Sequence, residues 1–106
     1  MENERLQLFE NQRIRTAWDE EGEEWYFSIV DVVGALTEAV DYAAARNYWK
    51  VTKYRMLKDG NELVTNCNQL KLKSADGKRR LTDVATTKEL PRIIQSIPSK
   101  KAKPFN

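Results

Sequence analysis

The spacing of apolar residues along this chain alternates between a period of two and a period near 3.6, and the switches predict its elements. From Phe9, the run FENQRIRTAWDEEGEEWYFSI reads as a β-hairpin. Ile14 and Trp18 stand among polar residues, the acidic DEEGEE turns the chain, and Trp25 to Phe27 return it. Trp18 and Trp25 suit a cross-strand aromatic pair. Ser28 has the form of a helix N-cap, with Asp31 as a variant of the capping box. Ile29, Val32, Val33 and Leu36 then give a short helix one apolar stripe, and Gly34 within it would permit close packing.

Asp41 is a second N-cap, opening YAAARNYWKVTKYRML, and Gly60 stands past its end. Tyr42, Ala45, Trp49, Thr52 and Met56 share one face, the predicted core face. Arg46, Lys50 and Lys53 form a stripe beside it, with Asn47 and Tyr54 on the same side. Residues 63–73 alternate as a strand, with Leu70 and Leu72 on one side and Lys71 and Lys73 on the other. The Asp-Gly pair of SADGK favours a tight turn, because glycine adopts positive φ without a steric penalty. The return strand, Lys78 to Val84, places Leu81 and Arg79 on one face and Arg80 opposite.

Leu90, Ile93, Ile94 and Ile97 form the stripe of a last helix. Proline costs about 3 kcal/mol inside a helix but little in its first turn, so regular helix should begin near Leu90 or Pro91 and end at Pro98. The expectation is an α+β fold. It is a small single domain with an N-terminal β-hairpin, two helices, a second basic β-hairpin and a C-terminal helix. Residues 9–98 form its globular core, and residues 99–106 are expected to start a linker to a C-terminal region of the same protein that this chain lacks.

Composition narrows the function. The 106 residues are 41% hydrophobic with three Trp, enough for one core without staples. A single cysteine, Cys67, forms no disulfide framework and reads as a half-buried strand residue. No apolar run approaches the ~18 residues of a membrane span, and the charged start has no signal-peptide core, so a cytoplasmic location is expected. The chain has no histidine, which removes His-based acid–base chemistry and His-paired nucleophiles. A lone cysteine makes no usual zinc site, and there is no glycine-rich phosphate loop. The acidic turn lacks the ordered ligand spacing of a calcium site. The expectation is a protein that is not an enzyme and holds no cofactor or metal.

Charge is where the chain departs from the ordinary. The net +2 hides a division: residues 1–42 carry three cations and eleven acids, and residues 43–106 carry fifteen cations and five acids. Lys71, Lys73, Lys78, Arg79 and Arg80 surround one turn. Polyanion binding needs cations that replace condensed counterions, often with aromatic and hydrogen-bonding groups interleaved. Two segments qualify, giving Arg46, Lys50 and Lys53 on the helix and the five hairpin cations as candidate nucleic-acid contacts. Single- and double-stranded DNA both fit. The bland alternatives are a solvated helix flank and an edge strand guarded by lysines. A different class of function is a protein-interaction module whose acidic hairpin, Asp19 to Glu24, meets the basic surface of a repressor.

The segments YFSIVDVVGAL, NYWKVTKYR, DGKRRLTDV and RIIQSIPSKKA add a resemblance. Together they resemble the BRO-type N-terminal domain, in the group of bacterial and phage proteins related to DNA-damage-inducible protein D and to phage antirepressors. The resemblance runs from about Phe9 to Phe105. It implies an α+β domain that binds DNA at the N-terminus of proteins with a variable C-terminal region, in a damage-response or transcription-regulating setting. It supplies no catalytic motif and no set of contact residues, so the eight cations rest on charge and spacing. Two departures from the group are visible: Pro91 with no acidic residue after Ala85, and Lys103 in place of a glutamate.

Overall fold

The computed structural model describes residues 4–9, 12–60 and 67–97, with backbone alone for 4–9, 12 and 13. Its strands are β1 (Glu4–Phe9), β2 (Gln12–Asp19), β3 (Glu24–Ser28), β4 (Asn68–Lys73) and β5 (Arg79–Thr86). Its helices are α1 (Ile29–Thr37), α2 (Tyr42–Lys58) and α3 (Leu90–Gln95). The fold is α+β, as the alternating periods imply. All five strands pair antiparallel in the order β1-β2-β3-β5-β4. β3 and β5 are joined across α1, α2 and β4, so the two hairpins become one sheet with β1 and β4 at its edges.

The first hairpin forms as its alternation predicts. Trp18 lies opposite Trp25, with ring centroids 5.3 Å apart and planes tilted by 56°. Such a pair adds roughly 0.5–1.5 kcal/mol beyond the area it buries. A third strand, β1, extends it, pairing Glu4 through Phe9 with Ala17 through Gln12. The sequence reading started at Phe9 and missed β1, although Leu6 and Leu8 alternate there.

Ser28 ends β3 and caps α1, its Oγ accepting from the Asp31 N–H at 3.3 Å. The capping box itself does not form. The Asp31 carboxylate instead turns to Arg15 on β2, where a charged partner offers more than a backbone amide. Ile29, Val32, Val33 and Leu36 are all buried, as the stripe requires. At Gly34 an added Cβ would stand 3.1 Å from the Ala45 Cβ, so glycine there lets α1 and α2 approach closely. Asp41 caps α2 through a 2.8 Å bond from the Ala44 N–H, and Gly60 follows the helix at φ 74°.

On α2, Ala45, Trp49, Thr52 and Met56 are buried as expected. Tyr42 corrects the predicted core face: it is 50% exposed, and its ring lies under the Arg15 guanidinium at 5.5 Å. Tyr42 therefore packs on a cation rather than in the core. α3 begins at Leu90 with Pro91 in its first turn, and its entry is tied by Glu89 Oε1, which accepts from the Thr86 N–H at 3.0 Å. Ile93 and Ile97 are buried while Leu90 and Ile94 are partly so. The predicted stop at Pro98, the tail 99–106 and the strand residues 63–66 lie outside the described residues.

Residues directly opposite in an antiparallel ladder share a face. Phe27 and Ala85 are one such pair, and with Ile14 they meet the three helices in the main core. Tyr26, Ala17, Val84, Leu70 and Leu72 form a smaller cluster on the other side. Among the described residues, no helix is long and apolar enough to cross a membrane.

Candidate nucleic-acid interface

The second hairpin sorts its cations by register. Lys73 pairs with Arg79, Lys71 with Leu81 and Gln69 with Asp83, so these six residues line one face of β4 and β5. Leu72 pairs with Arg80 on the other face. Ser74 N–H donates to the Lys78 carbonyl at 2.8 Å and closes the turn, where Gly77 takes φ 84°. Asp76 holds it from within: its carboxylate accepts from the Lys78 N–H and from the Arg80 guanidinium. The Arg80 hydrogen bond draws the Asp76 pKa below the ordinary carboxylate range. Two of the five cations around the turn thus differ from the rest: Arg80 pairs with Asp76 on the far face, and Lys78 projects at the tip.

Two polar anchors tie α2 to this hairpin. At one end, Asp83 Oδ2 accepts from Trp49 Nε1 and from Lys53 Nζ, each at 2.8 Å, and Gln69 Nε2 donates to Oδ1 at 2.8 Å. Burial alone would raise the Asp83 pKa, but the hydrogen bonds from Lys53, Trp49 and Gln69 outweigh it and hold the carboxyl below its usual value. At the other end, Arg15 Nη1 donates to the Lys73 carbonyl at 3.1 Å, and Nη2 reaches the Tyr42 hydroxyl at 3.4 Å. The first anchor ties the middle of α2 to β5, and the second links its first residue to the end of β4 through Arg15.

Arg15 keeps the second anchor in place. Its Nε and Nη2 form a fork on Asp31 at 2.8 and 3.1 Å, Nη2 also reaches Ser28 Oγ at 3.3 Å, and its backbone N–H donates to Asp31 Oδ2 at 2.9 Å. A fork of this kind is directional as well as strong. β2, the start of α1, the start of α2 and the end of β4 therefore meet at one guanidinium. Charge and period do not reveal this residue, because its partners lie far away along the chain.

Six of the eight predicted residues belong to the α2 flank or the hairpin face that meet at the Lys53–Asp83 contact. Arg46 and Lys50 lie on the flank of α2 that turns toward β5, the flank on which Lys53 reaches Asp83. Lys71, Lys73 and Arg79 are exposed on the adjoining face of the hairpin. Leu81, 62% exposed, sits among them. Lys53 lies on that flank but is engaged with Asp83. Asn47 and Tyr54 are exposed, in keeping with their expected place beside the stripe. Because β4 is an edge strand, Lys71 and Lys73 also discourage edge-to-edge pairing.

Burial first, then the nearby Asp83 charge, pushes the Cys67 thiol up to about 11, which keeps it a poor nucleophile at neutral pH. The acidic turn occupies the opposite end of the sheet from the basic hairpin tip, since β3 and β5 run antiparallel. Among the described residues, no three acidic or cysteine side chains gather in a way that could hold a metal ion.

Residues 13–106 match the family model described as BRO family, N-terminal domain. No curated protein and no solved structure matches the chain.

Proposed function

The chain belongs to the BRO family, and from that premise we propose that it is the DNA-binding domain of a phage-type, antirepressor-like regulatory protein that acts by binding rather than catalysis. The observation that carries this reading is the junction of α2 with the β4–β5 hairpin. There Lys53, on the α2 flank that by helical period also carries Arg46 and Lys50, reaches Asp83 on the hairpin face that carries Lys71, Lys73 and Arg79. The nearest carboxylate on that face, Asp83, is already taken by Lys53. A face that, among the described residues of β4 and β5, carries several cations and only this paired acid suits a phosphate backbone, whose condensed counterions it would displace. Such contacts set position more than sequence.

The reading separates the eight candidate cations. Replacing Lys71 and Lys73 together by Ala should weaken DNA binding, by about tenfold or more at moderate salt. Arg80→Ala should change it little, because that guanidinium faces away. Equal losses in the two variants would show that the hairpin acts through its fold or its other face.

A second reading keeps the surface split. The acidic turn exposes Glu20, Glu21 and Glu23 at the end of the sheet remote from the basic tip. It could meet the basic surface of a repressor while the other end holds DNA. Reversing the charge of those three residues should abolish capture of a repressor and leave DNA binding intact.

A further inference from the structure

α2 carries five cations, Arg46, Lys50, Lys53, Arg55 and Lys58, and no acid between its capping Asp41 and Asp59. Solvent-facing helices usually mix signs, because oppositely charged neighbours three or four residues apart stabilise them. The outward row is also unusual. At about 100° per residue, Ala43, Asn47, Val51, Tyr54 and Lys58 lie opposite buried Trp49, and all five are exposed. Val51 is 51% exposed and Tyr54 66%. Arg46 flanks this row on one side and Arg55 on the other.

A surface that met only phosphates would need the cations and nothing more. This row adds an amide, which can pair with both hydrogen-bonding atoms of an adenine edge, and the methyl groups of Ala43 and Val51, which suit a thymine methyl. A helix with side chains is about 10–12 Å across, close to the roughly 12 Å width of the major groove. Cations on both sides of the row match the two phosphate strands that border a groove. A single strand would need only one such line.

We propose that α2 enters the major groove of duplex DNA and that Asn47 specifies a base there, making the domain sequence-selective. This rests on the DNA-binding reading above and goes beyond its phosphate contacts. Lys71 and Lys73, on the hairpin beside α2, then grip the backbone along one wall of the groove.

The test is enrichment of duplexes from a randomised library by this chain, followed by titration of the enriched and a shuffled duplex. The expected result is a motif of about four base pairs, bound about tenfold or more tighter than the shuffled duplex. Asn47→Ala should lose about tenfold on the enriched duplex and nothing on the shuffled one, with an unchanged melting temperature because Asn47 is exposed. Lys71→Ala with Lys73→Ala should weaken both duplexes equally. Duplex binding without any enriched motif, a motif that Asn47→Ala leaves untouched, or tighter binding of single strands would each overturn the inference while leaving the DNA-binding function. No binding to any DNA would overturn both.

Discussion

Lys53 on α2 reaches Asp83 on β5 at 2.8 Å, and the same carboxylate oxygen accepts the Trp49 indole N–H at 2.8 Å. One helix is thereby fixed to one strand by a cation and an aromatic donor that lie four residues apart. Removing the carboxylate strands a partly buried charge and an indole donor together. Asp83→Ala should therefore destabilise the domain by about 2–3 kcal/mol in urea unfolding. Asp83→Leu should cost as much, because lost volume is not the cause.

The same carboxylate makes stability depend on acidity. Its pKa is depressed in the folded state, so the unfolded chain binds the proton first as pH falls. The stabilisation is complete above the ordinary carboxylate pKa of about 4 and disappears as pH drops through the lower folded value. Urea midpoints of the wild type should fall between about pH 5 and pH 2. Asp83→Ala should show a shallower fall over that window, and parallel curves would assign the effect to other acids.

Arg15 and Asp31 allow a sharper test, because the fork has a shape as well as a charge. Arg15→Lys keeps the charge but cannot make both bonds to Asp31 while also reaching the Lys73 carbonyl. It should cost about 1–3 kcal/mol of stability. DNA affinity should fall as well, since Arg15 links the start of α2 to the end of β4. Wild-type affinity in a destabilised Arg15→Lys would separate this junction from the binding surface.

The parts of the fold legible in the sequence were those written within a few neighbouring residues. Ser28 and Asp41 announce helix starts, the stripes of α1 and α2 announce buried faces, and Asp76-Gly77 announces a turn. The alternation in β4 and β5 even separated Arg79 from Arg80. What stayed hidden depends on distant partners. Asp31 looked like half of a capping box until Arg15, sixteen residues away, claimed its carboxylate. Lys53 looked like a free member of a basic stripe until the fold brought Asp83 beneath it. Tyr42 fell on the core side by period alone, and β1 was passed over because the first hairpin seemed complete without it.

The central claim is that α2 and the β4–β5 hairpin present one phosphate-binding surface, and salt dependence addresses it most directly. Fluorescently labelled duplex DNA would be titrated with the domain at several salt concentrations. Five contacts, from Arg46, Lys50, Lys71, Lys73 and Arg79, predict a log–log slope of about −4 to −5, reduced by roughly one for each cation removed. A slope near zero, or no binding at low salt, would contradict the claim and leave these cations as a solvated face.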